Sequence, residues 1–392
     1  MRPSVVSLRW RILALANARD RRRQMANRRR KTRAYIRRTV DALEDLPESE
    51  FIKTFRLGKP QVRALTEVLT PYLTQARTRR DAISPSLKIL IALSFYGTRS
   101  YQTLVGQSLF HHVSQTTVSR AVRQVTEALN KPDIFKRYVV WPMQRQDRNI
   151  IKAKFYRFGI PGVLGCIDGT HVAILSPVVH EERYFNRKGY HSLNVMIICD
   201  SELNIMCVDA SSPGSAHDSS VWQSHPIYNH MKELCDAGEH VFLLGDSGYP
   251  LRMFMMTPIL NTVEGTPEHH FYQLHVTARN SVERCIGVLK ARFRCLLVAR
   301  ALHYNPVTAG KIVNACCVLH NIANRSRLPV TPLSPEEAHV ERVRQHQIES
   351  EIAASASAQG LDEPNRRVNL DLHRGRMIQR ALIERLWRER QN

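Results

Sequence analysis

The stretch Val163-Leu164-Gly165-Cys166-Ile167-Asp168-Gly169 decides the fold: a short apolar run that ends on an acid and a glycine. Residues 171–175 form another short apolar run. Residues 193–199 are apolar and end at Asp200, and residues 205–208 are apolar and end at Asp209. Asp200 and Asn204 bracket a hairpin turn. Residues 217–235 have helical length, with Val221, Trp222, Ile227 and Leu234 apolar. Val241-Phe242-Leu243-Leu244 reads as a fully buried strand running into Gly245-Asp246. Residues 281–293 then form an amphipathic helix, with Val282, Cys285, Ile286, Leu289 and Phe293 along one side. The order predicts three strands, a helix, a central strand, a long loop and a helix. That is an α/β class: a mixed sheet flanked by helices.

Working outward, residues 50–135 look helical. Leu87, Leu90, Ile91 and Phe95 follow a 3.6-residue period behind Pro85, which suits a first helical turn. Gly97 ends that pattern, and a short segment follows over 101–110. Ser114 is then an N-cap for a helix with Val118, Ala121, Val122 and Val125 as its stripe. Three helices with short connections resemble a helix-turn-helix unit. In that reading Gln115, Thr116 and Ser119 face base edges, and Arg120 and Arg123 face phosphate. A plain solvated helix face is the alternative. Residues 311–325 read as one more packed helix, and 326–365 as a polar linker or frayed helix rich in Pro, Ser and Ala. The chain therefore divides into a basic arm (1–45), an all-α helix-turn-helix-like region (46–150), an α/β domain (151–325), the linker, and a basic C-terminal segment (366–392).

The chain has 392 residues, 43% of them apolar, and a formal net charge of +22. That length is enough for two ordinary domains, and the apolar content excludes a wholly disordered chain. No run reaches the ~18 apolar residues of a membrane span, and Arg9 and Arg11 interrupt any secretory signal. Residues 1–40 hold 14 Lys and Arg against one acid, Asp20, so +13 of the charge sits there. Runs such as Arg21-Arg22-Arg23 and Arg28-Arg29-Arg30-Lys31 cannot be buried unpaired. They suit phosphate contacts or nuclear import; a soluble tail and a transit peptide are the rivals. The eight cysteines form no C-x-x-C, and no Cys/His pair has zinc-finger spacing. Most lie inside apolar runs, as small hydrophobes of a reducing compartment do.

Three acids hold unusual places. Asp168 and Asp246 each end an apolar strand, where a carboxylate is poorly solvated unless paired. Glu283 shares a helix face with Gly287, Lys290 and Arg294. Two strand-end aspartates and a helical glutamate are what a divalent-metal site for phosphoryl transfer requires. Mg²⁺ takes oxygen ligands, and two ions about 3.5–4 Å apart clamp the attacking and leaving oxygens of an in-line displacement. Turn formation and a surface acid account equally well for the same spacing. Asp218, which opens a helix after Pro213-Gly214-Ser215-Ala216-His217, reads from spacing alone as an N-cap or first-turn acid.

Five blocks, in order, resemble one family. They are Gly165-Cys166-Ile167-Asp168-Gly169-Thr170-His171, Asn186-Arg187-Lys188-Gly189-Tyr190-His191-Ser192-Leu193-Asn194, Pro213-Gly214-Ser215-Ala216-His217-Asp218-Ser219, Gly245-Asp246-Ser247-Gly248-Tyr249-Pro250, and Val282-Glu283-Arg284 through to Phe293. Together they are similar to the PIF/Harbinger transposases and their domesticated nuclease relatives, strongly over 160–325. The resemblance implies an RNase H-like fold with a DDE site. Asp168, Asp246 and Glu283 would be its catalytic carboxylates, and Asp218 a further metal ligand. Mg²⁺ or Mn²⁺ would be the cofactor. Arg187 and Lys188 would lie near the phosphates, and Lys290 and Arg294 would neutralise flanking ones. It also implies a Myb-like DNA-binding partner protein and a nuclear location, with a cytoplasmic share.

Three functions stay open on the sequence. The first is a metal-dependent DNA endonuclease, a hydrolase of phosphodiester bonds. The second is a catalytically silent DNA-binding or scaffold protein acting with the Myb-like partner. The third is a transposase that performs strand transfer.

Overall fold

A computed structural model describes residues 18–28, 32, 35, 40–73, 83–98, 102–108, 110–341 and 370–391. Most of the basic arm lies outside these residues. Its 18–28 part, which carries Arg21-Arg22-Arg23, is an exposed helix. Among the described residues no helix is long and apolar enough to cross a membrane.

The helical region begins with α1 (Glu48–Phe55), α2 (Lys59–Leu73), α3 (Pro85–Gly97), α4 (Gln102–Gln107) and α5 (Gln115–Leu129). Two of these, α3 and α5, start as expected. Ser84 caps α3 by accepting from Leu87 N, with Pro85 in the first turn, and Ser114 caps α5 through Thr117 N. Val118, Ala121, Val122 and Val125 are buried, while Gln115, Arg120 and Arg123 are exposed. Gly106 lets α4 approach closely, because a methyl there would lie 2.8 Å from the Val113 carbonyl oxygen. Then α6 (Pro132–Tyr138) and α7 (Arg145–Phe155) lead into the sheet. On α7, Arg148 is fixed by a two-pronged pair with Glu239, Nη2 to Oε2 at 2.6 Å and Nε to Oε1 at 3.0 Å.

The sheet has five strands, β1 (Val163–Ala173), β2 (Ser192–Cys199), β3 (Ile205–Pro213), β4 (Phe242–Leu244) and β5 (Met255–Met256), in the order β3-β2-β1-β4-β5. The first three are antiparallel, and β4 and β5 run parallel to β1. The turn between β2 and β3 closes as expected, with Asp200 N donating to the Asn204 carbonyl at 3.0 Å. The mixed sheet with flanking helices is the α/β class read from the sequence.

Four local differences have physical causes. The runs 163–167 and 171–175 are one strand for most of their length, so Asp168 sits inside β1 rather than at its end. Residues 217–235 form two helices, α8 (Asp218–Ser224) and α9 (Pro226–Asp236). Pro226 cannot continue the first and opens the second. The helix expected from 281 begins fourteen residues earlier as α10 (Pro267–Arg292), capped by Thr266. Residues 326–341, read as linker or frayed helix, lie against the domain, and 335–341 are helical. Ser334 and Glu337 form a capping box there, each side chain accepting from the other's backbone N–H.

Side chains of the sheet alternate between two apolar clusters, as pleating dictates. Leu164, Met196, Ile198 and Leu243 pack with Trp222 and Met231 under α8 and α9. Cys166, Val195, Ile197 and Leu244 pack with Val282, Cys285 and Leu289 of α10 and with α11 (Pro306–Arg325). This second cluster continues into α1–α5. A last helix, α12 (Leu370–Gln391), lies on α10, and Gln379 Nε2 donates to the Thr257 carbonyl at 2.9 Å.

Candidate active site

Strand register brings the first two acids together. Cys166 of β1 is level with Leu244 of β4, so two residues further on Asp168 and Asp246 leave neighbouring parallel strands on the same side. Asp246 follows the strand in a turn, where its Oδ1 accepts from Gly248 N at 3.0 Å. Asp168 is buried at 8% exposure, and its Oδ1 accepts from Gly169 N at 2.9 Å.

Asp218 comes from the other side. His217 occupies the cap position of α8, and Asp218 is the first helical residue. Its carboxylate turns from its own helix to accept from Asn194 Nδ2 at 2.6 Å. Asn194 also donates to the Ala216 carbonyl at 2.9 Å, which holds its amide toward Asp218. Asn194 is paired with His171 across β1 and β2. The Asp218 carboxylate rests on Gly169, where a Cβ would overlap it.

Burial pushes Asp168 up to about 7 against the opposing pull of Arg279, and Asp246 and Asp218 add to the rise. Burial also raises Asp218, with Asp246 adding and the Asn194 hydrogen bond opposing. The three aspartates therefore share one field. Tyr249 is buried beneath them, its phenol raised well above its ordinary value by burial and by the same three acids. Among the described residues its hydroxyl has no hydrogen-bond partner.

Glu283 enters from α10 and is linked to the aspartates by Arg279, one turn earlier. The Arg279 guanidinium donates to Asp168 Oδ2 at 3.1 Å through Nη2 and to Glu283 through Nη1. Its side chain is 16% exposed, and that of Glu283 is 47% exposed. Burial opposes the charge on Arg279, but Asp168, Asp246 and Glu283 outweigh it and raise the group. Gly287, on the same face, has open space around it.

The donor chemistry suits a hard divalent ion: carboxylates, Asp246 raising both Asp168 and Asp218, whose mutual repulsion a cation would relieve. The spacing is wider than a closed coordination shell. Among the described residues no three His, Cys, Asp or Glu side chains converge on one point. Arg279, between Asp168 and Glu283, supplies the compensating positive charge.

The basic residues divide into groups. Arg187 is exposed and donates to the ring of His217, beside Asp218, at 2.7 Å. Lys188, Lys290, Gly169 and His171 line one small cavity of about 30 Å³. His171 is lowered to about 3 by burial and by the charges of Lys188 and Lys290. Lys290 is 5% exposed, and its Nζ donates to Glu341 Oε1 at 2.5 Å and to the His171 carbonyl at 3.3 Å. Arg294 lies past the end of α10 in a short 3-10 turn, donates to the Pro332 carbonyl at 3.0 Å and pairs with Glu337. The expected phosphate-facing row of Lys290 and Arg294 is thus turned inward onto residues 332–341. Gln115, Arg120 and Arg123 stand on α5, apart from this cluster.

Arg279 was not singled out from the sequence, and Asn194 and Tyr249 stood in the family blocks with no role given to them. Arg279 had a usable signal, because it stands four residues before Glu283 on a helix, the spacing of a helical ion pair.

The mixed five-stranded sheet with its flanking helices is consistent with the DDE class. The family model described as "DDE superfamily endonuclease" matches residues 167–321. The protein named "Putative nuclease HARBI1" from Bos taurus is 37% identical over 292 residues, covering 73% of this chain and 81% of the relative. Its counterpart from Homo sapiens is 34% identical over 333 residues, covering 83% and 93%. "Protein ALP1-like" from Arabidopsis thaliana is 24% identical over 262 residues, covering 62% and 61%. No solved structure gives a significant match. The chain belongs to the Harbinger-derived DDE nuclease family.

Proposed function

We propose that this chain is a metal-dependent DNA endonuclease that hydrolyses phosphodiester bonds at Asp168, Asp246 and Glu283. The observation that carries the reading is that Asp218 and Asp246 raise the Asp168 carboxyl, and Asp246 that of Asp218, while Arg279 joins Asp168 to Glu283. A site built only to support the fold gains nothing from crowding carboxylates where their charges repel. The strand order β3-β2-β1-β4-β5, with the first three antiparallel and the rest parallel, supports an RNase H-like fold.

Asp168, Asp218 and Asp246 would hold a Mg²⁺ or Mn²⁺ ion, with Glu283 completing the set. When bound, the ion supplies Lewis acidity toward phosphate and water oxygens. The protein's own groups do the rest. Asn194 fixes the Asp218 carboxylate, Tyr249 excludes water beneath the acids, and Arg187 and Lys188 orient the DNA backbone. Arg279, held only by acids that the ion would neutralise, is then free to meet a phosphate.

DNA is the partner substrate, with α5 as a second contact through Gln115, Arg120 and Arg123. A Myb-like DNA-binding protein supplies target choice, and the basic arm directs the chain to the nucleus, with a cytoplasmic share. The test is the chemistry of the ends. With Mn²⁺ and a labelled duplex, the wild type leaves 3′-hydroxyl and 5′-phosphate ends, and Asp246→Asn leaves the duplex whole. Equal cleavage by Asp246→Asn overturns the assignment.

A further inference from the structure

Residues 331–341 lie across the edge of the candidate site, and polar contacts hold them there. None of them is buried. Arg56 Nη1 donates to Thr331 Oγ1 at 2.9 Å, and Arg294 holds the Pro332 carbonyl and Glu337. A cleft of about 680 Å³ runs beneath, lined by Arg294, Ala299, Pro332, Glu337 and Val340. Apolar packing therefore contributes little to the attachment.

The deepest contact is Glu341. One carboxylate oxygen accepts from Lys290 Nζ at 2.5 Å, and the other accepts from Val298 N at 3.2 Å. The Lys290 and Glu341 side chains are 7% and 12% exposed. An ammonium and a backbone N–H converging on two oxygens of one anion is the donor pattern that also suits a phosphate. The cavity holding this pair includes Gly169, the residue after Asp168, and Lys188.

We propose that 331–341 is an electrostatic strap, with Glu341 seated in a phosphate site that a DNA backbone phosphate takes over when DNA binds. The proposal rests on the reading of DNA as the partner, and deepens it by naming one phosphate contact and the group that masks it. Displacement leaves Lys290 paired with phosphate instead of carboxylate, so no buried charge is left alone at any stage.

The test measures binding of the full chain to a fluorescein-labelled duplex by anisotropy in EDTA, over a range of NaCl. Glu341→Gln should bind about five- to tenfold tighter near ~0.1 M salt, with the same slope of log K against log salt, because Lys290 meets the same phosphate in both forms. Adding Lys290→Ala to that variant should remove the gain. In the wild type, hydrogen exchange of the 331–341 amides should speed up on adding duplex, a readout that needs no variant. Unchanged affinity in Glu341→Gln, a gain that survives Lys290→Ala, or slower exchange with DNA overturns the strap, as does absence of duplex binding by either form. EDTA blocks cleavage, so the strap and the nuclease reading fail separately. A wild type that nicks DNA while Glu341→Gln binds no tighter loses only the strap. A wild type that never nicks while Glu341→Gln binds tighter loses only the nuclease.

Discussion

Arg279 lies 3.1 Å from the Asp168 carboxylate and also donates to Glu283, joining an acid of the central strand to one on the long helix. The pair sets the electrostatics of the site, because a buried carboxylate among two others needs a positive neighbour.

Removing that neighbour is costly where Asp168 is ionised. Arg279→Ala should lose on the order of 3 kcal/mol at pH 8 in metal-free buffer. The loss should shrink at pH 5, where Asp168 takes up a proton. Saturating Mn²⁺ should recover much of it at pH 8. Urea unfolding at both pH values measures this; an equal loss at both contradicts the electrostatic account.

Asp168 also makes a pH signature. Burial raises it to about 7 in the fold, above the unfolded carboxylate value of about 4. The folded chain therefore holds the proton more tightly across that window. Its contribution to stability is full below about pH 4 and is lost as pH rises through about 7. The Tm of the metal-free wild type should fall relative to Asp168→Asn between those values. A flat or rising difference is inconsistent with the raised carboxyl.

Gly169 is required by the approach of Asp218. Gly169→Ala puts a methyl into the Asp218 carboxylate and should cost about 1–3 kcal/mol as an overpacked position. Mn²⁺ affinity, read by calorimetry, should fall as well. Wild-type affinity in Gly169→Ala would remove Asp218 from the proposed ligand set.

Arg148 and Glu239 tie α7 to the segment entering β4, with side chains 6% and 10% exposed. Glu239→Ala leaves Arg148 buried without its acid and should destabilise by about 3–5 kcal/mol. Thermal or urea unfolding measures it. A loss under about 1 kcal/mol would place the pair among exposed bridges.

The basic arm is read through salt. If it neutralises phosphates, deleting residues 1–40 should flatten the slope of log K against log salt by about 0.9 for each phosphate it had engaged. An unchanged slope leaves the arm to nuclear import.

The sheet was legible where apolar runs stood between turn residues: 193–199, 205–208 and 241–244 all lie in or overlap strands. β5 was not, because Met255-Met256 is too short to show alternation. Asp168 and Gly169 looked like a strand end, since polar groups inside a strand mimic a turn when the partner that accommodates them comes from distant sequence. Here that partner is Asp218, lying on Gly169. The same limit hid the roles of Asn194 and Tyr249, whose relation to the acids arises only from pairing and packing. Lys290 and Arg294 looked solvent-facing because their acids, Glu341 and Glu337, lie over forty residues downstream. The Ser334-Pro335-Glu336-Glu337 capping signature was present in that segment, and a helix start could have been read from it.

Nicking of supercoiled plasmid across a Mn²⁺ titration, with wild type and Asp168→Ala side by side, tests the central claim most directly. The account predicts metal-dependent nicking by the wild type, and none by Asp168→Ala although that variant keeps its fold and its affinity for duplex in EDTA. Full nicking by Asp168→Ala, or a wild type that binds DNA yet nicks at no Mn²⁺ concentration, would contradict it.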